Sequence, residues 1–242
     1  MIRVGVVGAA GRMGQEVCRT VAADPATELV AEIDLGDSLE RLAEAEVEVV
    51  VDFTVLEAAR DTLHFAAAHG IHAVIGTTGF SADDMADFKA EFTASNALIA
   101  PNFAIGAVLM IRMAELAAPH FDTAEIIEFH HENKVDAPSG TATHTAQRMA
   151  DASSEWADDP TRHEVYPGAR GGLGPGGIRV HSVRMRGTVA NQEVILGTTG
   201  QILTIRHDTV DRTSFMPGVL VGVKRVAEFP GVTVGLDAFL GL

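Results

Sequence analysis

The first fourteen residues narrow the choice of fold more than any other stretch. Residues 2–7 form the run IRVGVV, and GAAGRMG follows at once, before Met13, Val17 and Val21 recur at helical spacing. A short continuous β-branched run is the mark of a strand buried on both faces, as in a parallel sheet. A strand that runs through glycines into a helix demands a crossover, and crossovers of this kind are right-handed. The rest of the first half repeats the alternation. Strands are expected at 29–33, 47–53, 71–75 and 97–100. Helices are expected where Leu56, Ala59, Leu63 and Ala66 share a face, and at 83–92. Strand and helix alternating with short connections predicts a doubly wound parallel sheet.

After about residue 103 the pattern changes. A mostly apolar helix is expected at 105–118, a strand at 123–129 and a helix at 141–151. Residues 153–177 are polar and rich in Gly and Pro, ending in GARGGLGPGG, and read as a loop or lid. Strand-like runs at 178–185, 193–196 and 201–207 follow without helices between them, separated by Gly187 and by Thr199-Gly200. Consecutive strands argue for an antiparallel region and a second domain. A last helix at 213–227, with Pro217 in its first turn, is expected to pack back on the first domain. The fold class is therefore α/β. A Rossmann-like domain comprises 1–105 and 214–242, and an α+β domain with a mixed, largely antiparallel sheet spans 106–213.

The loop has a ligand-binding reading. Gly8, Gly11 and Gly14 are spaced G-x-x-G-x-x-G, with Ala9 and Ala10 between the first two and Arg12 and Met13 between the last two. Small residues let the backbone approach a pyrophosphate, whose charge rests on the helix N-terminus. Such sites place a carboxylate at the end of the second strand to accept the ribose hydroxyls, and Asp34 lies 20 residues after Gly14. Asp34 would repel a ribose 2′-phosphate, which favours NADH. Arg12 would attract one, which favours NADPH, and Leu35 adds no second cation. The loops Gly76-Thr77-Thr78 and Ala100-Pro101-Asn102-Phe103 follow strand ends, where open parallel sheets bind ligands. Both are candidates for the nicotinamide end.

A second cluster lies in EFHHENKVDAPSGTA, which begins at Glu128. On a strand, His130 and His131 would face opposite ways, which disfavours a shared metal. One is suited to proton transfer near neutral pH and the other to orienting a substrate. Lys134 is suited to binding a carboxylate or donating a proton. Ser139 or Thr141 can cap the helix that starts near Gly140, whose free amides form an anion site. Arg184 and Arg186 share a face of their strand, away from His181, and read as a solvated surface or a subunit contact.

Composition removes several classes. With 18 Lys+Arg against 33 Asp+Glu, the formal charge of -15 argues against nucleic acid. No apolar run approaches a bilayer span, so no membrane partner is expected and a cytoplasmic location is. The single cysteine, Cys18, forms no internal disulfide and no cysteine-based zinc site, and no metal is expected.

Five stretches together carry a resemblance: GAAGRMG, DFT at 52–54, GTTGF at 76–80, APNFAIGA at 100–107, and EFHHENKVDAPSGTA. Residues 206–208 (RHD) and 211–215 (DRTSF) extend it to nearly the whole chain. The sequence resembles the dihydrodipicolinate reductases of the diaminopimelate–lysine pathway. The HH-x-x-K-x-DAPSGTA segment is specific, whereas the glycine loop alone is not. The resemblance implies hydride transfer from NADH or NADPH to a small cyclic dicarboxylate, with loss of water, in a homotetramer. By position it implies an acid–base role for His130 and proton donation by Lys134. It implies substrate contacts from His131, Ser139, Gly140 and Thr141. It implies cofactor contacts from Gly8, Ala9, Ala10, Gly11, Arg12, Met13, Asp34, Gly76, Thr77, Thr78, Ala100, Pro101, Asn102 and Phe103. Some members carry Arg directly after the ribose acid, where this chain has Leu35. Two other readings stay open: a different nicotinamide dehydrogenase, such as a homoserine-dehydrogenase-like or semialdehyde-acting enzyme, and a regulator that binds the dinucleotide without turnover. An acylating semialdehyde enzyme would need a catalytic cysteine, and Cys18 lies in the first helix, far in sequence from the His-Lys segment.

Overall fold

A computed structural model describes all 242 residues, and the chain forms two compact units, Met1–Ile105 with Arg212–Leu242, and Gly106–Asp211. In the first unit, strands β1 (Ile2–Val7), β2 (Thr27–Ile33), β3 (Val49–Asp52), β4 (His72–Ile75) and β5 (Asn96–Ile99) alternate with helices α1 (Arg12–Ala23), α2 (Glu40–Glu44), α3 (Leu56–His69) and α4 (Ala82–Glu91). The strands join a six-stranded sheet in the order β11-β5-β4-β3-β1-β2, where β11 is Gly231–Val234, and every pairing is parallel. All of β3 is buried, as expected for a strand covered on both faces. The core gathers Ile33, Leu42, Val50, Leu63, Ile75 and Phe88. Each such side chain contributes about 1.5–3 kcal/mol by leaving water.

The sequence reading missed α2 and β11. The strand β11 is only four residues, three of them half-buried, and too short for a clear alternation. Asn96 fixes it in place. Its Oδ1 accepts from Gly231 N at 3.0 Å, and its Nδ2 donates to Val226 O at 3.0 Å. Helix α7 (Met216–Arg225) packs through two glycines. A Cβ at Gly218 would fall 2.0 Å from Phe103 O, and one at Gly222 would fall 2.9 Å from a Leu98 methyl.

The second unit contains α5 (Ile105–Ala117, whose first residue belongs to the other unit), β6 (Thr123–His130), α6 (Gly140–Ala152), β7 (Gly172–Leu173), β8 (Arg179–Arg184), β9 (Ala190–Thr198) and β10 (Gln201–Thr209). The sheet order is β10-β9-β6-β8-β7. The β6–β8 pair is parallel and the other pairs antiparallel, so the sheet is mixed and largely antiparallel. Met110, Ile126, Met149, Ile178, Val194 and Leu196 form its core. The segment read as a loop or lid is mostly irregular but stapled down. Arg170 bonds Glu125 at 2.7 Å, Arg179 bonds Asp159 at 2.9 Å, and Ala157 N donates to Asp122 O at 2.8 Å. A short helix α8 (Asp237–Leu240) ends the chain in the first unit.

Candidate active site

The strand order of the first unit reverses at β1, which lies between β2 and β3. A crevice beyond the carboxyl ends of the strands is expected there. A cavity of about 440 Å³ occupies this place, lined by Val7, Gly8, Ile33, Asp34, Thr54 and Val55 among others. The turn that borders it has no room for a side chain at Gly8 or where Gly14 packs against it. Gly8 has φ +77°, and a Cβ on it would fall 2.7 Å from the Thr54 methyl. A Cβ on Gly14 would fall 2.0 Å from Gly8 O.

Helix α1 begins on Gly11, with no side-chain cap and no acidic residue in its first turn, so its N-terminal field is open to an anion. Arg12, exposed, is its first residue. The Asp34 carboxylate closes the loop, accepting from Ala10 N at 2.6 Å and Leu35 N at 2.8 Å. These two amides, Leu35 first, hold its pKa below the usual carboxylate range. The residues present therefore fit a dinucleotide: an uncapped helix for phosphate, a turn closed to side chains at Gly8 and Gly14, and an ionised carboxylate at the cavity wall.

A second cavity of about 210 Å³ in the same unit is lined by Met13, Phe53, Gly76, Pro101, Asn102, Phe103 and Phe215. It brings together three loops that the sequence reading treated separately. Phe53 and Phe215 were not foreseen in this role. Thr77 is buried, its hydroxyl donating to Thr54 O at 2.8 Å, while Thr78 is exposed. Ala100 N donates to Ile75 O at 3.0 Å, and Asn102 Oδ1 accepts from Ala104 N at 2.8 Å.

In the second unit, β6 ends on His130, so His131 lies outside the strand and the alternation argument does not govern it. The next turn closes with Lys134 N donating to His131 O at 3.1 Å. The Lys134 Nζ bonds the exposed Asp136 carboxylate at 2.8 Å. Ser139 is the N-cap of α6, its Oγ accepting from Ala142 N at 3.2 Å. Gly140 and Thr141 open that helix, which has no acidic residue in its first turn.

The buried carboxylate of Glu128, two residues before His130 on β6, connects these groups. It accepts from His130 Nδ1 and, at 3.2 Å, from Ser139 N. It also accepts both arms of Arg184, at 2.9 and 2.8 Å. Burial alone would raise the Glu128 pKa. The Arg184, Ser182 and His130 bonds overcome this and hold it below the usual range. His130 is lowered first by burial and further by Lys134 and Arg184, with Glu128 opposing. The imidazole is thus neutral at neutral pH, and an acceptor-only carboxylate at Nδ1 places the ring proton there.

The sequence reading of Arg184 is corrected here. Its side chain is 19% exposed and bonded to a fully buried carboxylate, not spread on a solvated face. Arg186 lies beyond the end of β8 and pairs at the surface with Glu132. The register explains the difference, because β6 and β8 run parallel with His130 opposite Arg184 and Glu128 opposite Ser182. Side chains at i and i+2 share a face, so Glu128, His130 and Arg184 meet. No group of three or more His, Cys, Asp or Glu stands where it could hold a metal.

Comparison with known proteins agrees with this geometry. Family models described as dihydrodipicolinate reductase, N-terminus and C-terminus, match residues 2–103 and 106–240. The chain belongs to the dihydrodipicolinate reductase family. Relatives called 4-hydroxy-tetrahydrodipicolinate reductase include one from Nocardia farcinica, 54% identical with 100% of this chain and 99% of that protein covered. Another, from Streptomyces coelicolor, is 48% identical, with 100% and 98% covered. A solved structure, the dipicolinate-bound dihydrodipicolinate reductase from Paenisporosarcina sp. TG-14, superposes with TM-score 0.88 at 36% identity, covering 98% of this chain and 99% of that one. The family and the fold together make this an oxidoreductase with a nicotinamide cofactor.

Proposed function

We propose that the chain is a 4-hydroxy-tetrahydrodipicolinate reductase: it reduces 4-hydroxy-tetrahydrodipicolinate to tetrahydrodipicolinate, with loss of water, at the expense of NADH or NADPH. The observation that carries this reading is the convergence of His130 and the N-terminus of α6 on the buried Glu128 carboxylate, and of the Lys134 turn on the Arg184 paired with it. The names of the full-length relatives support the choice of substrate. The reaction belongs to lysine biosynthesis through diaminopimelate, and a cytoplasmic location fits it. No helix is long and apolar enough to cross a membrane.

The dinucleotide supplies the hydride. The chain's own residues bind, orient and move protons. Gly8 to Met13 and Asp34 would hold the adenosine and pyrophosphate half. Gly76 to Thr78 and Ala100 to Phe103 would line the nicotinamide half.

The substrate is a dianion and the protein carries a formal charge of -15, so attraction has to be local. Lys134 and the amides of Gly140 and Thr141 supply it, with Ser139 setting the helix start and His131 completing the grip. Lys134 gives up Asp136 to bind and protonate the substrate where negative charge develops. His130, neutral with Nε2 as its basic nitrogen, serves as the acid–base partner. Asp34, with Leu35 fully exposed beside it, favours NADH. Arg12 leaves room for NADPH. The assembly proposed is a homotetramer, for which the edge strand β10 offers exposed Ile202 and Leu203.

The acylating semialdehyde reading loses its nucleophile. Cys18 is buried in α1, and burial, reinforced by Glu32, pushes its thiol up to about 11.

The test is oxidation of NADH coupled to the upstream synthase, which makes the unstable substrate in place. Lys134→Ala should abolish turnover while NADH binding stays within about threefold of the parent. Equal turnover in the two proteins would remove Lys134 from the mechanism. A parent that binds NADH without consuming it would favour the non-catalytic regulator.

A further inference from the structure

We propose that Glu128 and Arg184 are the positioning residues of this site, with Glu128 setting the ring of His130 and Arg184 setting the turn that carries Lys134. The inference rests on the reductase reading for its kinetic consequences. The placement of the His130 proton is testable without it.

Glu128 has no solvent exposure on its side chain, yet its two oxygens serve three different segments. Oε2 faces His130 Nδ1 and Arg184 Nη1. Oε1 faces Arg184 Nη2 and the backbone N–H of Ser139, the residue that caps α6. Arg184 reaches further. Its Nη2 also donates to Asp136 O at 2.7 Å, and its Nη1 donates to Val183 O at 2.9 Å. The pair thus joins β6, β8, the Lys134–Asp136 turn and the start of α6. A buried ion pair is weak evidence for stability, because desolvation consumes most of its attraction. What this one supplies is a fixed arrangement of the groups proposed to act on substrate. A carboxylate held ionised by a guanidinium accepts only, so it forces the imidazole proton to Nδ1 and leaves Nε2 basic.

Glu128→Gln isolates that function. The Gln carbonyl is drawn to the Oε1 position, where Arg184 Nη2 and the Ser139 amide both donate. Its NH₂ then faces His130 Nδ1, which must become the acceptor so that the ring proton moves to Nε2, and Arg184 Nη1, which loses its acceptor there. The groups facing His130 are Glu128 on its own strand, Arg184 on β8 and Lys134 in the turn. Removing the only anion among them leaves two cations, so protonation of the ring becomes harder. Arg184→Lys retains a charge beside Glu128 but loses the fork that also grips Asp136 O.

Histidine-selective ¹⁵N NMR on the full protein, with the His130 signal assigned by its loss in His130→Gln, reads the tautomer directly. The parent should show Nδ1–H. Glu128→Gln should show Nε2–H, with a titration midpoint shifted to lower pH. In the coupled assay, Glu128→Gln should lower kcat at least about tenfold with KM within about threefold, since acid–base groups contribute ~10²–10⁴. Arg184→Lys should keep the parent tautomer and raise KM more than it lowers kcat. A parent ring protonated at Nε2, or Glu128→Gln with the parent's tautomer and kcat, overturns the proposal. If Glu128→Gln does not fold, the parent tautomer and the KM-against-kcat pattern of Arg184→Lys still decide it. If the parent folds and shows Nδ1–H but does not turn over, the reductase reading fails and the positioning pair stands.

Discussion

Gly14→Ala offers the sharpest test of how the first unit holds its cofactor. The added methyl would lie 2.0 Å from Gly8 O, 2.7 Å from Gly8 C and 2.8 Å from Ala9 Cα. All three are backbone atoms of the loop that meets the helix, so no side chain can swing away. Carbon contacts settle near ~3.5–4.0 Å, and relief therefore requires loop and helix to separate by roughly 1 Å or more. Overpacking of this kind costs about 1–3 kcal/mol, against which alanine returns about 1 kcal/mol of helix propensity. The net loss of up to about 2 kcal/mol lowers Tm by up to about 8 °C. The same separation moves the uncapped amides of α1 away from the pyrophosphate. An anion at a helix N-terminus is worth up to ~2 kcal/mol, so the Kd for NADH should rise by about 5- to 30-fold. Fluorescence titration and thermal melts on the same preparations give both numbers. Gly11→Ala, whose Cβ would lie 3.1 Å from Gly8 O, should fall between mutant and parent. Gly140→Ala, with nothing within 4 Å of the new methyl, should leave NADH affinity unchanged. Parent-like Kd and Tm for Gly14→Ala would show that the close approach of Gly8 and Gly14 is not what forms the phosphate site.

Two further expectations concern carboxylates. Asp34→Ala should weaken NADH by about 10- to 100-fold, as expected for charge-assisted hydrogen bonds, and NADPH by much less, because it removes a repulsive charge along with the ribose acceptor. Titrations in the reverse order would discard the account of cofactor choice. Asp52, fully buried at the end of β3, accepts from Thr54 N at 2.7 Å and lies 2.6 Å from the Thr62 hydroxyl, which also lies 3.0 Å from Ala58 O. The Thr54 and Thr62 hydroxyls donate to its two oxygens. Burial raises its pKa above the ordinary aspartate value, against these threonine bonds. A carboxyl raised on folding contributes stability that is full below the unfolded value and is lost as pH rises through the folded one. Asp52→Asn, which stays uncharged at every pH, should therefore gain Tm relative to the parent as pH rises from about 4 to 8. A difference in Tm that is flat, or that shrinks, with rising pH would show that burial does not raise this carboxyl.

Local chemistry was enough to read much of this molecule from its sequence. Buried apolar runs bounded by glycine loops leave few options but a parallel sheet, and a glycine turn followed by Asp34 suits a dinucleotide because its sterics and its carboxylate are both local in sequence. The segment from His130 to Thr141 could be read as one site because its groups lie within a dozen residues. Tertiary structure decided what sequence distance concealed. β11 joins β5 through the side chain of Asn96, and no period marks a four-residue strand. Phe53 and Phe215 share a cavity wall because α7 and its flanking turn return to the first sheet. Arg184 looked like a surface cation because its own strand alternates. It is an interior ion because β8 pairs with β6 in the one register that places it beside His130 and Glu128. Pairing register across a long connection is set by which faces can be buried together, and that is a property of the assembled sheet rather than of either strand.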